Sequence, residues 1–225
     1  MPAGRSRYGT EPELSIWPFA CPGRRPACGR TAGPFTSGYG ENVPNFRPLA
    51  SEVETARLRM RPWTPSDSDA VRALWEERDP RSLHVIDAEG RPTVEALRVG
   101  IESQLAESAQ TGLALLAIET KHDGEFIGYC GLIIGKSTLE EPEIAYELFQ
   151  RAHGNGYATE ASRAILSVAQ DTGRTRLWAT VRAWNVASFR VLEKIGFVDS
   201  GKVDPDSKRG DSVWMTWSGS PDENN

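Results

Sequence analysis

Apolar and polar residues are distributed with two different textures along the chain. Up to about residue 50, Pro, Gly, Arg and Ser interrupt every apolar stretch, as in Cys21-Pro22-Gly23-Arg24-Arg25-Pro26 and Thr31-Ala32-Gly33-Pro34. No helical or strand period survives there, which predicts a disordered or loosely attached tail over residues 1–50. From Glu54 the pattern becomes regular. Ala56-Arg57-Leu58-Arg59-Met60-Arg61 alternates with the period of a half-buried strand, and Pro62 ends it. Ala70, Val71, Leu74 and Trp75 then recur at helical spacing behind Ser66 or Asp67, either of which can accept from the free N–H groups of a first turn. A second helix follows Pro92-Thr93, with Val94, Leu97, Ile101 and Leu105 on one stripe and Gly112 closing it.

Two apolar runs, 113–119 and 126–134, flank Asp123-Gly124, a pair suited to the positive φ of a hairpin turn. Further on, the pattern predicts a strand over 143–148, a helix over 157–169, a strand over 176–181 and a short helix over 186–194. Strands over 197–203 and 212–217 complete the order β-α-α-β-β-β-α-β-α-β-β. This order predicts one mixed α/β domain over residues 51–220, built on a mostly antiparallel sheet with a parallel βαβ step in its second half. Residues 221–225 are expected to be a disordered end.

Composition narrows the function classes. Of 225 residues, 25% are charged and 39% hydrophobic, and the formal net charge is −5, an ordinary globular balance without the basic excess expected of a nucleic-acid binder. The longest apolar run, 113–118, is too short to cross a bilayer. Nothing near the N-terminus resembles the apolar stretch of a secretory signal, so the expected location is cytoplasmic. Three cysteines, Cys21, Cys28 and Cys130, do not make a disulfide framework, and neither they nor His84, His122 and His153 show metal-ligand spacing. Cys130 lies in a strand with no histidine close in sequence and reads as an inert thiol.

The strongest local signal is Arg151-Ala152-His153-Gly154-Asn155-Gly156-Tyr157-Ala158-Thr159-Glu160-Ala161, a glycine-containing turn between a strand and a helix. Gly154 and Gly156 allow a tight turn and close approach of a ligand, while the first-turn N–H groups and the positive end of the helix dipole attract an anion such as a pyrophosphate. It is not a Walker loop, because Gly156 is not followed by Lys and Ser or Thr. Nor is it a dinucleotide fingerprint, since Thr159 stands where a third glycine or alanine is needed and the turn follows the fourth strand. About 30 residues later, Asn185 caps a helix whose buried side is Val191, Leu192 and Ile195, and Gly196 stops it before Phe197.

Together these two segments closely resemble the GNAT superfamily of N-acetyltransferases. With Ala145-Tyr146-Glu147-Leu148 leading into the turn and Arg57-Leu58-Arg59-Met60-Arg61 at the start, the chain looks like the branch that acetylates ribosomal-protein N-termini, over residues 54–217. The resemblance implies acetyl-coenzyme A as cosubstrate, with no metal. It implies that the pantetheine arm pairs with backbone at Leu148, Phe149 and Gln150, that N–H groups of His153, Gly154, Asn155, Gly156 and Tyr157 hold the pyrophosphate, and that Asn185 faces the cofactor arm.

Acetyl transfer to an amine requires a base for the amine, a donor for the oxyanion and a proton for the leaving thiolate. A free strand N–H near Leu148 could act on the thioester carbonyl. Glu143 and Glu147 share a strand face but lie ~13 Å apart along it, too far to act as a close carboxylate pair. By resemblance Glu143 is the expected base, through water or directly. The family's common thiolate acid, a Tyr four residues before the Gly-Phe pair, is Leu192 here, and Ser188 on the same helix is the expected substitute. Tyr146 and Tyr157 are weaker candidates. The acceptor is expected to be a protein N-terminus or a small amine, and the protein a monomer or homodimer that binds neither nucleic acid nor membrane. The missing Tyr leaves a second expectation open, a coenzyme A-binding module that has lost catalysis.

Overall fold

A computed structural model describes residues 46–219. Among these residues are eight strands in one sheet and four α-helices. In chain order they are β1 (Val53–Glu54), β2 (Leu58–Arg61), α1 (Ser68–Glu76), α2 (Val94–Thr111), β3 (Leu115–Thr120), β4 (Phe126–Ile133), β5 (Glu143–Leu148), α3 (Tyr157–Asp171), β6 (Arg176–Arg182), α4 (Val186–Lys194), β7 (Val198–Asp204) and β8 (Ser212–Ser218). The sheet order is β1-β2-β3-β4-β5-β6-β8-β7, antiparallel throughout except for the parallel pair β5–β6.

The expected mixed α/β architecture and element order hold, with one addition. The strand expected over 56–61 begins at Leu58, and the chain before it folds back as the two-residue β1, pairing Val53 with Met60. Two residues carry too little pattern to be read as a strand. Thr93 caps α2 by accepting from the Ala96 N–H, and Gly112 ends it at φ 70°. The first helix is started differently from expectation. Ser66 lies in a 3-10 turn, Pro65–Asp67, and the Asp67 carboxylate accepts from the Thr64 N–H and pairs with Arg61 at 2.8 Å instead of capping α1.

The sheet is covered on both faces, which explains why β4 reads as a continuous apolar run rather than an alternating one. Leu58, Met60, Cys130, Ile144 and Leu148 pack with Ile165 of α3 and Leu192 of α4, while Trp63, Tyr129 and Phe149 pack with Trp75 of α1 and Ile101 of α2. Residues just before the expected start at residue 51 also pack on this domain. The Leu49 side chain is buried in the first of these clusters, and the N–H groups of Arg47 and Leu49 donate to Thr172 and Gly112 carbonyls. The rest of the expected tail, with Cys21 and Cys28, and the expected disordered end lie outside the described residues.

Candidate active site

β5 and β6 pair only where Glu143 meets Trp178, closed by the Trp178 N–H on the Pro142 carbonyl at 2.9 Å. The remaining residues of the two strands are not paired with each other. The Phe149 N–H is directed to β4, where it meets the Ile127 carbonyl, and main-chain groups of a strand alternate in direction. The N–H groups of Tyr146 and Leu148 therefore face away from β4, toward the opening between the parted strands. That opening exposes strand edge in mid-sheet, a place where an extended ligand can add its own hydrogen bonds.

At the end of β5 the chain makes a short 3-10 turn, Gln150–Ala152, and then the glycine turn. Gly154 and Gly156 both have φ near +77°, and a side chain is strained at either. The first bond of α3 runs from the Glu160 N–H to the Gly156 carbonyl, so the N–H groups of Gly154, Asn155, Gly156 and Tyr157 have no acceptor among the described residues. These four donors at a helix N-terminus suit a pyrophosphate. The N–H groups of three other residues expected to contact the cofactor are bonded within the fold. The Phe149 N–H is bonded to β4, the Gln150 N–H donates to a Glu77 carboxylate oxygen at 2.7 Å, and the His153 N–H donates to the Gln150 carbonyl. The His153 ring instead lies 3.0 Å from the Leu148 carbonyl through Nε2.

One residue fixing this turn was not singled out from the sequence. Arg57 donates to the Asn155 carbonyl at 3.0 Å, binds the Glu160 carboxylate and lies over the Tyr157 ring. Thr55 donates to the same carboxylate at 2.6 Å. In the sequence, Arg57 was one of three alternating arginines, and its partners lie about a hundred residues away.

Across the opening, the Asn185 side chain caps α4 by accepting from the Ser188 N–H at 3.2 Å. The Ser188 carbonyl accepts from the Tyr146 hydroxyl at 3.1 Å, and the Ser188 side chain also interacts with that phenol. Burial raises the Tyr146 phenol above its ordinary range. Leu192, in the place of the family's Tyr, is a core residue 1% exposed.

Glu143 sits at the closed end of the opening and is 3% exposed. One carboxylate oxygen accepts from the Lys136 N–H at 2.5 Å, the other from the Thr180 hydroxyl at 2.7 Å. Burial outweighs these donors and raises its pKa above the ordinary carboxylate value. Glu147 is far from a solvated strand charge: Arg78 grips it, and the Tyr129 hydroxyl donates to it at 2.6 Å. The Cys130 thiol is buried and pushed up to about 12 by that burial, 3.7 Å from the Ser162 hydroxyl.

The acetyltransferase (GNAT) domain family matches residues 57–198, more than half of the chain, including the glycine turn, the parted strands and α4. The chain belongs to the GNAT acetyltransferases. These enzymes take acetyl-coenzyme A as cosubstrate. The chain is 27% identical over 150 residues to the uncharacterized N-acetyltransferase YoaA of Bacillus subtilis, covering 66% of this chain and 84% of YoaA. It is 40% identical over 89 residues to the uncharacterized YkkB of the same organism, covering 38% of this chain and 51% of YkkB, so that match spans about half of the relative's length. Among solved structures, Mycobacterium smegmatis RimJ in complex with CoA-disulfide superposes with a TM-score of 0.60 at 24% identity, over 72% of this chain and 81% of RimJ. RimL, a ribosomal L7/L12 alpha-N-protein acetyltransferase, does so with a TM-score of 0.64 at 14% identity, over 76% and 99%. At these identities the likeness is one of fold. Among the described residues of this GNAT domain, no helix is long and apolar enough to cross a membrane, and no three His, Cys, Asp or Glu are grouped to hold a metal.

Proposed function

We propose that this protein is a cytoplasmic N-acetyltransferase that moves the acetyl group of acetyl-coenzyme A to a primary amine, a protein N-terminus or a small amine, by direct attack on the thioester. The observation that carries the reading is the family match over 57–198, which falls on a turn with four unspent N–H donors beside an open strand edge. The cosubstrate supplies the activated acetyl group. Gly154, Asn155, Gly156 and Tyr157 hold its pyrophosphate, the backbone at Leu148 pairs with its extended arm, and Asn185 faces that arm. RimL, which shares the fold, is an alpha-N-protein acetyltransferase, and a protein N-terminus is accordingly the first acceptor to test here.

In this reading Glu143 takes the proton of the attacking amine, through a water because its own oxygens are enclosed. Its raised pKa brings it closer to the basicity the task needs than an exposed carboxylate. A free strand N–H near Leu148 polarises the acetyl carbonyl. The Ser188 hydroxyl supplies the proton to the leaving thiolate.

Release of free thiol from acetyl-coenzyme A, measured with peptides bearing free N-termini and with a panel of small amines, tests the proposal. Turnover with peptides above the small amines supports the protein acceptor, and the reverse assigns a small-molecule substrate. Leu192 at the position of the usual acid favours the second reading, a coenzyme A-binding module without catalysis. Tight binding with no thiol release from any amine would establish that instead.

A further inference from the structure

Glu143 is covered by groups from two different parts of the fold. The loop after β4 closes over the carboxylate at Gly135, where any side chain would strike it, and the Lys136 N–H of that loop donates to Oε1. From β6 the Thr180 hydroxyl donates to Oε2 at 2.7 Å, and the Thr180 main chain also favours the ionised form. With the residue 3% exposed, a proton reaches this carboxylate by way of the groups bonded to it.

Thr180 stands where the cleft opens. β5 and β6 are paired at Glu143 and Trp178, and Thr180, two residues past Trp178, is on the same face of β6 where that pairing has ended. Two residues past Glu143 on β5 is Ala145, next to the Tyr146 N–H that faces the opening. Thr180 is half-buried rather than sealed. Its hydroxyl proton is spent on Glu143, and its oxygen accepts no hydrogen bond among the described residues. An amide N–H only donates, whereas a hydroxyl carries one proton and two lone pairs. Among the partners of Glu143, the Thr180 hydroxyl is therefore the one that can give a proton to the carboxylate and take another in its place.

We propose that the Thr180 hydroxyl relays the proton of the attacking amine to Glu143, a role that rests on the acetyl-transfer reading. As the amine nitrogen bonds to the acetyl carbon it sheds a proton to a water, that water passes one of its own to the Thr180 oxygen, and the Thr180 proton moves to Glu143 Oε2. Water and Thr180 end as they began, and the carboxylate ends as a carboxylic acid. Once the product has left, the same path returns the proton to solvent.

Thr180→Val, which keeps the shape and loses the hydroxyl, and Thr180→Ser, which keeps the hydroxyl, test the relay in the full chain. Thr180→Ala takes the place of the first variant should it fold poorly. Acetyl transfer to the parent's best amine or peptide substrate is followed across pH, beside calorimetric affinities for acetyl-coenzyme A. Thr180→Val is expected to lower kcat by ~10²-fold, the lower end of the range for one acid–base step, with cofactor affinity unchanged and Thr180→Ser near the parent. The Thr180 bond holds Glu143 below the value burial alone would give, so the remaining limb of kcat/KM should move to higher pH in Thr180→Val, a shift that lost packing alone does not produce. Parent-like turnover in Thr180→Val while Glu143→Gln is slow, or Thr180→Ser as slow as Thr180→Val, would overturn the relay and leave the acetyl-transfer reading standing. If the parent transfers acetyl to no amine, that reading fails and the relay with it.

Discussion

The Tyr146 hydroxyl donates to the Ser188 carbonyl across 3.1 Å, tying β5 to the first turn of α4 where the sheet itself has come apart. The bond is accepted by the Ser188 carbonyl and not by its hydroxyl, so substitutions can separate the roles of the two residues. Ser188→Ala should lower kcat by ~10²–10⁴, the range for one positioned acid, with little change in cofactor affinity. Tyr146→Phe should loosen α4 and affect binding and turnover together. Asn185→Ala should mainly weaken cofactor binding, with a lost helix cap costing about 1 kcal/mol of stability. Steady-state kinetics beside calorimetric affinities check the pattern, and a wild-type rate for Ser188→Ala where chemistry limits turnover assigns the acid to another group.

Glu143 should impose its own pH dependence. Its pKa is raised in the fold by burial, so the stability linked to its proton is fully present below the unfolded value and is lost as pH rises through the folded one. Melting temperatures of the parent should therefore decline relative to Glu143→Gln over that interval. Activity should move the opposite way, since the base acts ionised, and kcat/KM should rise along a limb displaced above the ordinary carboxylate range. Glu143→Gln should lose that limb. A parent and variant with superimposable pH profiles would remove Glu143 from the chemistry.

The glycine turn makes a prediction about binding alone. Acetyl-coenzyme A at ~100 times its Kd should add about 2.7 kcal/mol of stability, or roughly 5–10 °C in Tm. Gly156→Glu should erase that shift, because φ is 78° there and the new carboxylate would repel phosphate. Arg57→Gln keeps the glycines but frees the Asn155 carbonyl and the Glu160 carboxylate, and should weaken binding roughly tenfold with kcat nearly unchanged. Thermal shift assays with the melting point of each unliganded variant distinguish a lost site from a lost fold.

The segment before β1 should contribute to stability. Leu49→Ala removes a buried side chain from the core and should cost about 2 kcal/mol, lowering Tm by roughly 4–8 °C. Ser51→Ala, two residues on and exposed, should change Tm very little. Equal melting of the two variants would show that residues 46–50 are only laid against the domain.

Local patterns in the sequence determined most of the elements: the periods of two and 3.6, the Asp123-Gly124 turn, the Thr93 and Asn185 caps and the glycines before α3 each act within a few residues. The anion-attracting turn was legible for the same reason, since its donors come from one short stretch of backbone. What only the tertiary structure decided depends on partners far apart in the chain. Arg57 reaches Asn155 and Glu160 about a hundred residues on, Arg78 holds Glu147, and Tyr146 meets Ser188, pairings that no period records. The same holds for the backbone donors: Gln150 looked free until Glu77 of another element took its N–H, and Gly154 remained free because nothing folded against it. Sequence patterns record which face an element buries, but the fold alone decides which polar groups on it find partners, because hydrogen bonds depend on distances of a few tenths of an ångström between distant segments.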